Sequence, residues 1–152
     1  MEEKKSMLLK VTGIIMLIGG ILSAILSLVG AVGICTIQVV PEASKAVDEA
    51  AKAAGTSSGP IMGVFWVGVV FAIISSVIEI IAGVTGIKNW QNPAAYKKML
   101  ILGIIVIVIS LLGNILSGIG SGNFGSYIFS IILGLVLPVL YLIGVFQLKG
   151  QE

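Results

Sequence analysis

One carboxyl sits in the middle of an apolar run. The stretch GVFWVGVVFAIISSVIEIIAGVTGIK, residues 63–88, holds Glu79 as its only ionisable residue apart from the closing Lys88. About 20 residues of helix cross a bilayer, so the run reads as a membrane span and Glu79 as an intramembrane acid. A carboxylate at that depth is costly unless paired, so Glu79 should be neutral or have a partner. It lies nine residues before Lys88, about 13 Å along a helix. Tyr141 lies eight residues before Lys149 and so at nearly the same depth. Its hydroxyl is the first expected partner of Glu79, and Lys10 reaching inward is the second. Asn114, in a later apolar run, falls roughly level with Ser75 and Ser76 and suits a hydrogen bond across helices or the wall of a pathway. Glu79, Tyr141, Asn114 and Ser76 form the candidate intramembrane polar site. Its chemistry is either a proton or cation site, as in small transporters, or a protonated carboxyl that ties two helices together.

Composition removes most other chemistry. There is no His, and Cys35 is the only Cys, so an intramolecular disulfide, the usual zinc sites, a Ser-His-Asp triad and a Cys-His dyad cannot be built. No cofactor is expected. The net charge of +2 is too small to point to nucleic acid. The chain is 57% hydrophobic and 11% charged, against about 25% charged in soluble domains. This is the composition of a single integral membrane domain spanning residues 1–152, with the lipid bilayer as its surroundings.

Four apolar runs position the polar groups, at about residues 9–34, 61–87, 97–119 and 126–148. The first is too long for a signal-peptide core and is read as an uncleaved span. Residues 38–60 form the only long polar stretch. Pro41 suits a first helical position and Gly55 a C-cap, so a short amphipathic helix is expected over about 41–54. Its expected inward face is Ala43, Ala46, Val47, Ala50 and Ala54, with Lys45/Glu49 and Asp48/Lys52 as i,i+4 pairs. It would cap the bundle or dock a partner. Asn92 should cap the next helix with Pro93 at its first position, and residues 118–125 form a Gly/Ser/Asn turn. Pro138 cannot donate to the Gly134 carbonyl, which predicts a kink in the last run.

Lysines set the orientation. Lys4, Lys5, Lys10, Lys88, Lys97, Lys98 and Lys149 fall on one side and only Lys45 and Lys52 on the other, which puts both termini in the cytoplasm and the amphipathic helix outside. Trp90 and Tyr96 suit the inner interface; Phe65, Trp66, Phe124 and Tyr127 suit the outer one.

Residues 13–30 and 103–120 align with eight of eighteen positions identical, and Gly83, Val84 and Lys88 align with Gly144, Val145 and Lys149. Two like-oriented hairpins related by an axis along the membrane normal would follow, unless the match is convergence of Ile/Leu/Gly-rich sequence. Small residues mark the expected packing stripes, because contact between helices in lipid relies on close backbone approach. They are Gly19, Ser23 and Ser27 in the first span, Gly113, Ser117 and Ser121 in the third, and Gly68, Ala72, Ser76, Gly83 and Gly86 beside Glu79 in the second.

The loop plan is shared with claudins and tetraspanins, but the Trp and Cys pair of the former and the Cys-Cys-Gly motif of the latter are missing. AGVTGIKNWQNPAAYKKMLILGIIVIV from Ala82 and the closing LPVLYLIGVFQLKG resemble small uncharacterised four-span integral membrane proteins of Gram-positive bacteria. That resemblance implies an all-α four-helix bundle in a bacterial plasma membrane and no particular activity. The expected function is a non-enzymatic accessory, structural or interaction component. The alternative is a small homo-oligomeric transporter or channel subunit using Glu79. An enzyme would need clustered polar residues at an interface, which the sequence lacks. The company expected beside lipid is a second copy or another membrane protein.

Overall fold

The computed structural model describes residues 7–118 and 124–149. Most of the expected turn at 118–125 lies outside them, as do Lys4, Lys5 and Ser121 and the side chains of Asn114, Ser117, Phe124 and Tyr127. The described chain is helical throughout: α1 (Met7–Val39), α2 (Pro41–Ala53), α3 (Ser58–Asn89), a single 3-10 turn (Pro93–Ala95), α4 (Tyr96–Gly118) and α5 (Phe124–Lys149). By length and composition, α1, α3 and the segment Pro93–Gly113 can each cross a membrane, and Gly134–Lys149 is a shorter apolar helix. These helices turn Ile18, Leu22, Val32, Val70, Val77 and Ile101 outward, which suits contact with lipid and marks a small multi-span membrane protein.

Local chemistry fixes the helix ends. Val40 is extended, as a residue before proline must be, and Pro41 opens α2. Gly55 closes α2 with a φ of +73°, the left-handed conformation that a side chain disfavours. The Gly55 N–H donates to the Lys52 carbonyl and the Thr56 N–H to that of Ala51, a Schellman ending. Asn92 accepts from the Ala94 N–H at 3.2 Å, and Pro93 starts the 3-10 turn that leads into α4. α5 runs through Pro138 without interruption.

The long helices form a ring. α1 packs on α3, α3 on α4, α4 on α5, and α5 back on α1. The core lies at the end where α1 begins and α5 finishes, beside Lys10, Lys88, Lys97, Lys98 and Lys149, called here the lysine end. Leu9, Met99, Tyr141, Val145 and Leu148 are fully buried there, with Met16, Ala82 and Val106 beside them. The seam between α1 and α3 is made by glycines. A Cβ on Gly83 would lie 2.7 Å from the Leu17 nitrogen and 2.8 Å from the Gly13 carbonyl oxygen, so only glycine lets the backbones come this close. One on Gly20 would meet Ile80 at 2.8 Å and the Ser76 carbonyl at 3.1 Å. The contact therefore falls at Gly13 and Gly20, seven residues apart, and not at the expected Gly19, whose Cβ would meet nothing within 4 Å.

Two further expectations need correction. α2 turns Ala43, Ser44, Val47 and Ala51 inward, while Ala46, Ala50 and Ala54 face out. The expected face was rotated because α2 meets α1 and α3 together and sits with its i,i+4 row 43–47–51 against them. Among the described residues, neither Lys45/Glu49 nor Asp48/Lys52 closes as an ion pair. The aligned glycines are also used differently. Gly83 meets α1 within its own hairpin, whereas Gly144 approaches Leu9, also on α1 but from the other hairpin.

Candidate functional site

Tyr141 is the hub of the closed end. It projects from α5 across the ring to α3, and its hydroxyl donates to the Ala82 carbonyl oxygen at 3.2 Å. The path exists because two neighbours have no side chain. A Cβ at Gly86 would lie 2.8 Å from the Tyr141 ring, and one at Gly103 would lie 3.1 Å from it and run into Leu142. Tyr141 thus reaches one helical turn nearer the lysine end than Glu79 and satisfies a backbone acceptor. Lys10, the second expected partner, places its Nζ 4.6 Å from the centre of the Trp90 ring. Lys149 does the same over Tyr96 at 5.2 Å, and Tyr96 stands against Phe146. These pairs hold the cations and aromatics together at the lysine end, as expected of an interfacial belt. Both expected partners of Glu79 are therefore spent elsewhere. Among the described residues its carboxyl has no hydrogen bond and no ion pair.

Glu79 instead faces space. Toward the α2 end the ring opens into a cavity of about 1140 Å³. α3 lines it from Pro60 to Glu79, with Gly68, Ala72 and Ser75 on the same wall. α1 contributes Ser23 and Ser27, α4 contributes Ser110 and Gly113, and α5 contributes Gly134. Glu79 is the lining residue of α3 nearest the lysine end, so the carboxyl stands at the closed end of the cavity. The face expected to hold Gly68, Ala72, Ser76, Glu79, Gly83 and Gly86 together is divided. Ser76, Gly83 and Gly86 are buried in helix contacts, whereas Gly68, Ala72 and Glu79 border the cavity. A Cβ on Gly68 would meet nothing within 4 Å. Ser23, Ser27 and Gly113 also line the cavity, although a Cβ on Gly113 would touch Phe71 at 3.5 Å.

The polar atoms of this wall accept. Ser27 Oγ donates its proton to the Ser23 carbonyl at 2.7 Å and Ser75 Oγ to the Phe71 carbonyl at 2.9 Å, which leaves their lone pairs available. Pro138 has no N–H to give the Gly134 carbonyl, so that oxygen loses its usual helical donor beside the cavity. Ser76 is fully buried and bonds to the Ile73 carbonyl at 2.8 Å, so it closes the helix contact below the cavity. Glu79 is the one charged side chain among the described lining residues. Such a wall favours a cation or a proton-bearing solute over an anion. Among the described residues no group of three metal-binding side chains occurs.

No family model, curated protein or solved structure matches the chain. The likeness of residues 82–108 and 137–150 to four-span proteins of Gram-positive bacteria therefore assigns no family, and the cavity has to be read from its own geometry.

Sequence reasoning placed Glu79, Ser76 and Tyr141 near one another and missed the cavity. Helical periodicity says which residues share a face; it does not say whether a neighbour fills the space in front of it. One usable signal was present. Glycine, alanine and serine are dense at 68, 72 and 75 on α3 and at 23, 27 and 30 on α1, and these positions border the cavity.

Proposed function

We propose that this chain is a four-span protein of a bacterial plasma membrane, with both termini cytoplasmic, that takes up a cationic solute at Glu79 from the α2 side. It acts as a small transporter or as the solute-binding subunit of one. The observation that carries this reading is a cavity lined along α3 from Pro60, on the α2 side, to Glu79, whose carboxyl has no hydrogen bond or ion pair among the described residues. A carboxyl used only to tie helices would be bonded, since an unsatisfied polar group in a membrane interior is costly. The lysine count supports this orientation, under which the cavity mouth would face outside. A cavity of about 1140 Å³ lined by one chain supports solute binding without the homo-oligomer of the sequence-based alternative. Parallel hairpins remain part of the reading at the level of sequence, with the two halves packed unequally. The decisive assay is cation-driven or proton-driven flux in proteoliposomes. Wild type should conduct or exchange, and Glu79→Gln should abolish the signal with the fold retained. Equal flux in both would remove Glu79 from the mechanism.

A second reading, a non-enzymatic accessory or interaction component, is favoured by the exposed row Ala46, Ala50 and Ala54 on α2. It predicts that mild-detergent extraction recovers the chain with another protein and that large residues along that row release it.

A further inference from the structure

We propose that the solute is a monovalent organic cation with an apolar body, an amine or onium compound, and not a bare metal ion or a proton alone. This rests on the reading of Glu79 as a cation site and names the class of its occupant. The walls decide it. Leu26, Val64, Val67, Val69 and Ile109 make most of the lining apolar, and Phe65 and Phe71 add aromatic side chains, which a cation tolerates better than an anion does. A dehydrated metal cation needs a shell of about six or more oxygens around one point. Here a single carboxylate stands among serines distributed over three helices, and no group of three metal-binding side chains occurs among the described residues. The volume of about 1140 Å³ suits a drug-sized molecule, since ligand pockets run to about 300–1,000 Å³. One positive charge matches one carboxylate, and the apolar remainder of the molecule matches the rest of the wall. An anionic headgroup would meet no cation among the described lining residues, since Lys45 and Lys52 lie on α2 outside that lining and Lys10, Lys88, Lys97, Lys98 and Lys149 stand at the lysine end.

The probe is tetraphenylphosphonium, set against the uncharged triphenylphosphine oxide, with the full chain in nanodiscs. Wild type should bind the cation saturably at one per chain and bind the neutral compound poorly. Glu79→Gln should weaken the cation by about tenfold or more, because an ion pair screened only by apolar walls is worth at least that much. Gly68→Leu keeps the carboxyl and places bulk where a Cβ meets nothing, so it should also reduce binding while leaving the helices packed. If the phosphonium fails to bind while alkali-cation or proton flux still depends on Glu79, the organic-cation class is wrong and the cation site stands. If neither binding nor flux depends on Glu79, both readings fall. If the neutral compound binds as well as the cation and Glu79→Gln changes nothing, the cavity is an apolar or lipid-filled cleft and the proposal is overturned.

Discussion

Gly83 and Gly68 lie on one helix and do opposite things. Gly83 is pressed against the Leu17 and Gly13 backbones, which cannot move aside as a side chain can. Gly83→Ala should therefore cost about 1–3 kcal/mol, the usual cost of overpacking, whereas Gly68→Ala should stay within about 0.5 kcal/mol. Reversible unfolding in mixed micelles would measure both, and equal effects would mean the α1–α3 seam is not where the glycines place it. Tyr141 allows a similar division. Tyr141→Phe removes only the bond to the Ala82 carbonyl and should cost about 0.6 kcal/mol, the mean for hydrogen bonds between membrane helices. Tyr141→Ala also empties the space between Gly86 and Gly103 and should cost about 3–5 kcal/mol. A large loss in Tyr141→Phe would mean that the hydroxyl, and not the ring, holds the diagonal.

At the scale of elements, α2 is held by its ends. Gly55 at a φ of +73° is the position where any side chain strains the backbone. Gly55→Ala should destabilise the last turn of α2 by about 1–2 kcal/mol, seen as faster hydrogen exchange at the Gly55 and Thr56 amides with the long helices unaffected. This stop signal was legible in the sequence, as were Pro41 and the Asn92–Pro93 start, because caps and turns depend on a few adjacent residues. The apolar runs were legible for the same reason; the helices overrun them, with α1 reaching Val39 past an expected end near residue 34. What could not be read was pairing. Tyr141 and Glu79 share a depth by residue count, yet the ring of Tyr141 is guided by two glycines on different helices to a backbone oxygen one turn away. The inward face of α2 was likewise set by two helices at once, which the alanine pattern alone does not reveal.

The molecule as a whole is tight at one end and open at the other. Glycine contacts, buried Leu9, Met99 and Leu148, and the Tyr141 bridge close the lysine end. Serines, small residues and one carboxyl leave the α2 end hollow. This asymmetry is what a solute-binding protein caught facing one side of a membrane requires, and it makes water access the property to measure. With Cys35→Ser as background, single cysteines at Gly68, Ser75 and Ala82 would be challenged in intact cells with a membrane-impermeant thiol reagent. Cysteines at 68 and 75 should react from outside, protection by a bound organic cation should follow, and a cysteine at 82 should stay unreactive. No reaction at 68 or 75 from outside would mean that the cavity is closed to water there, and the account of Glu79 as a cation site reached through it would be contradicted.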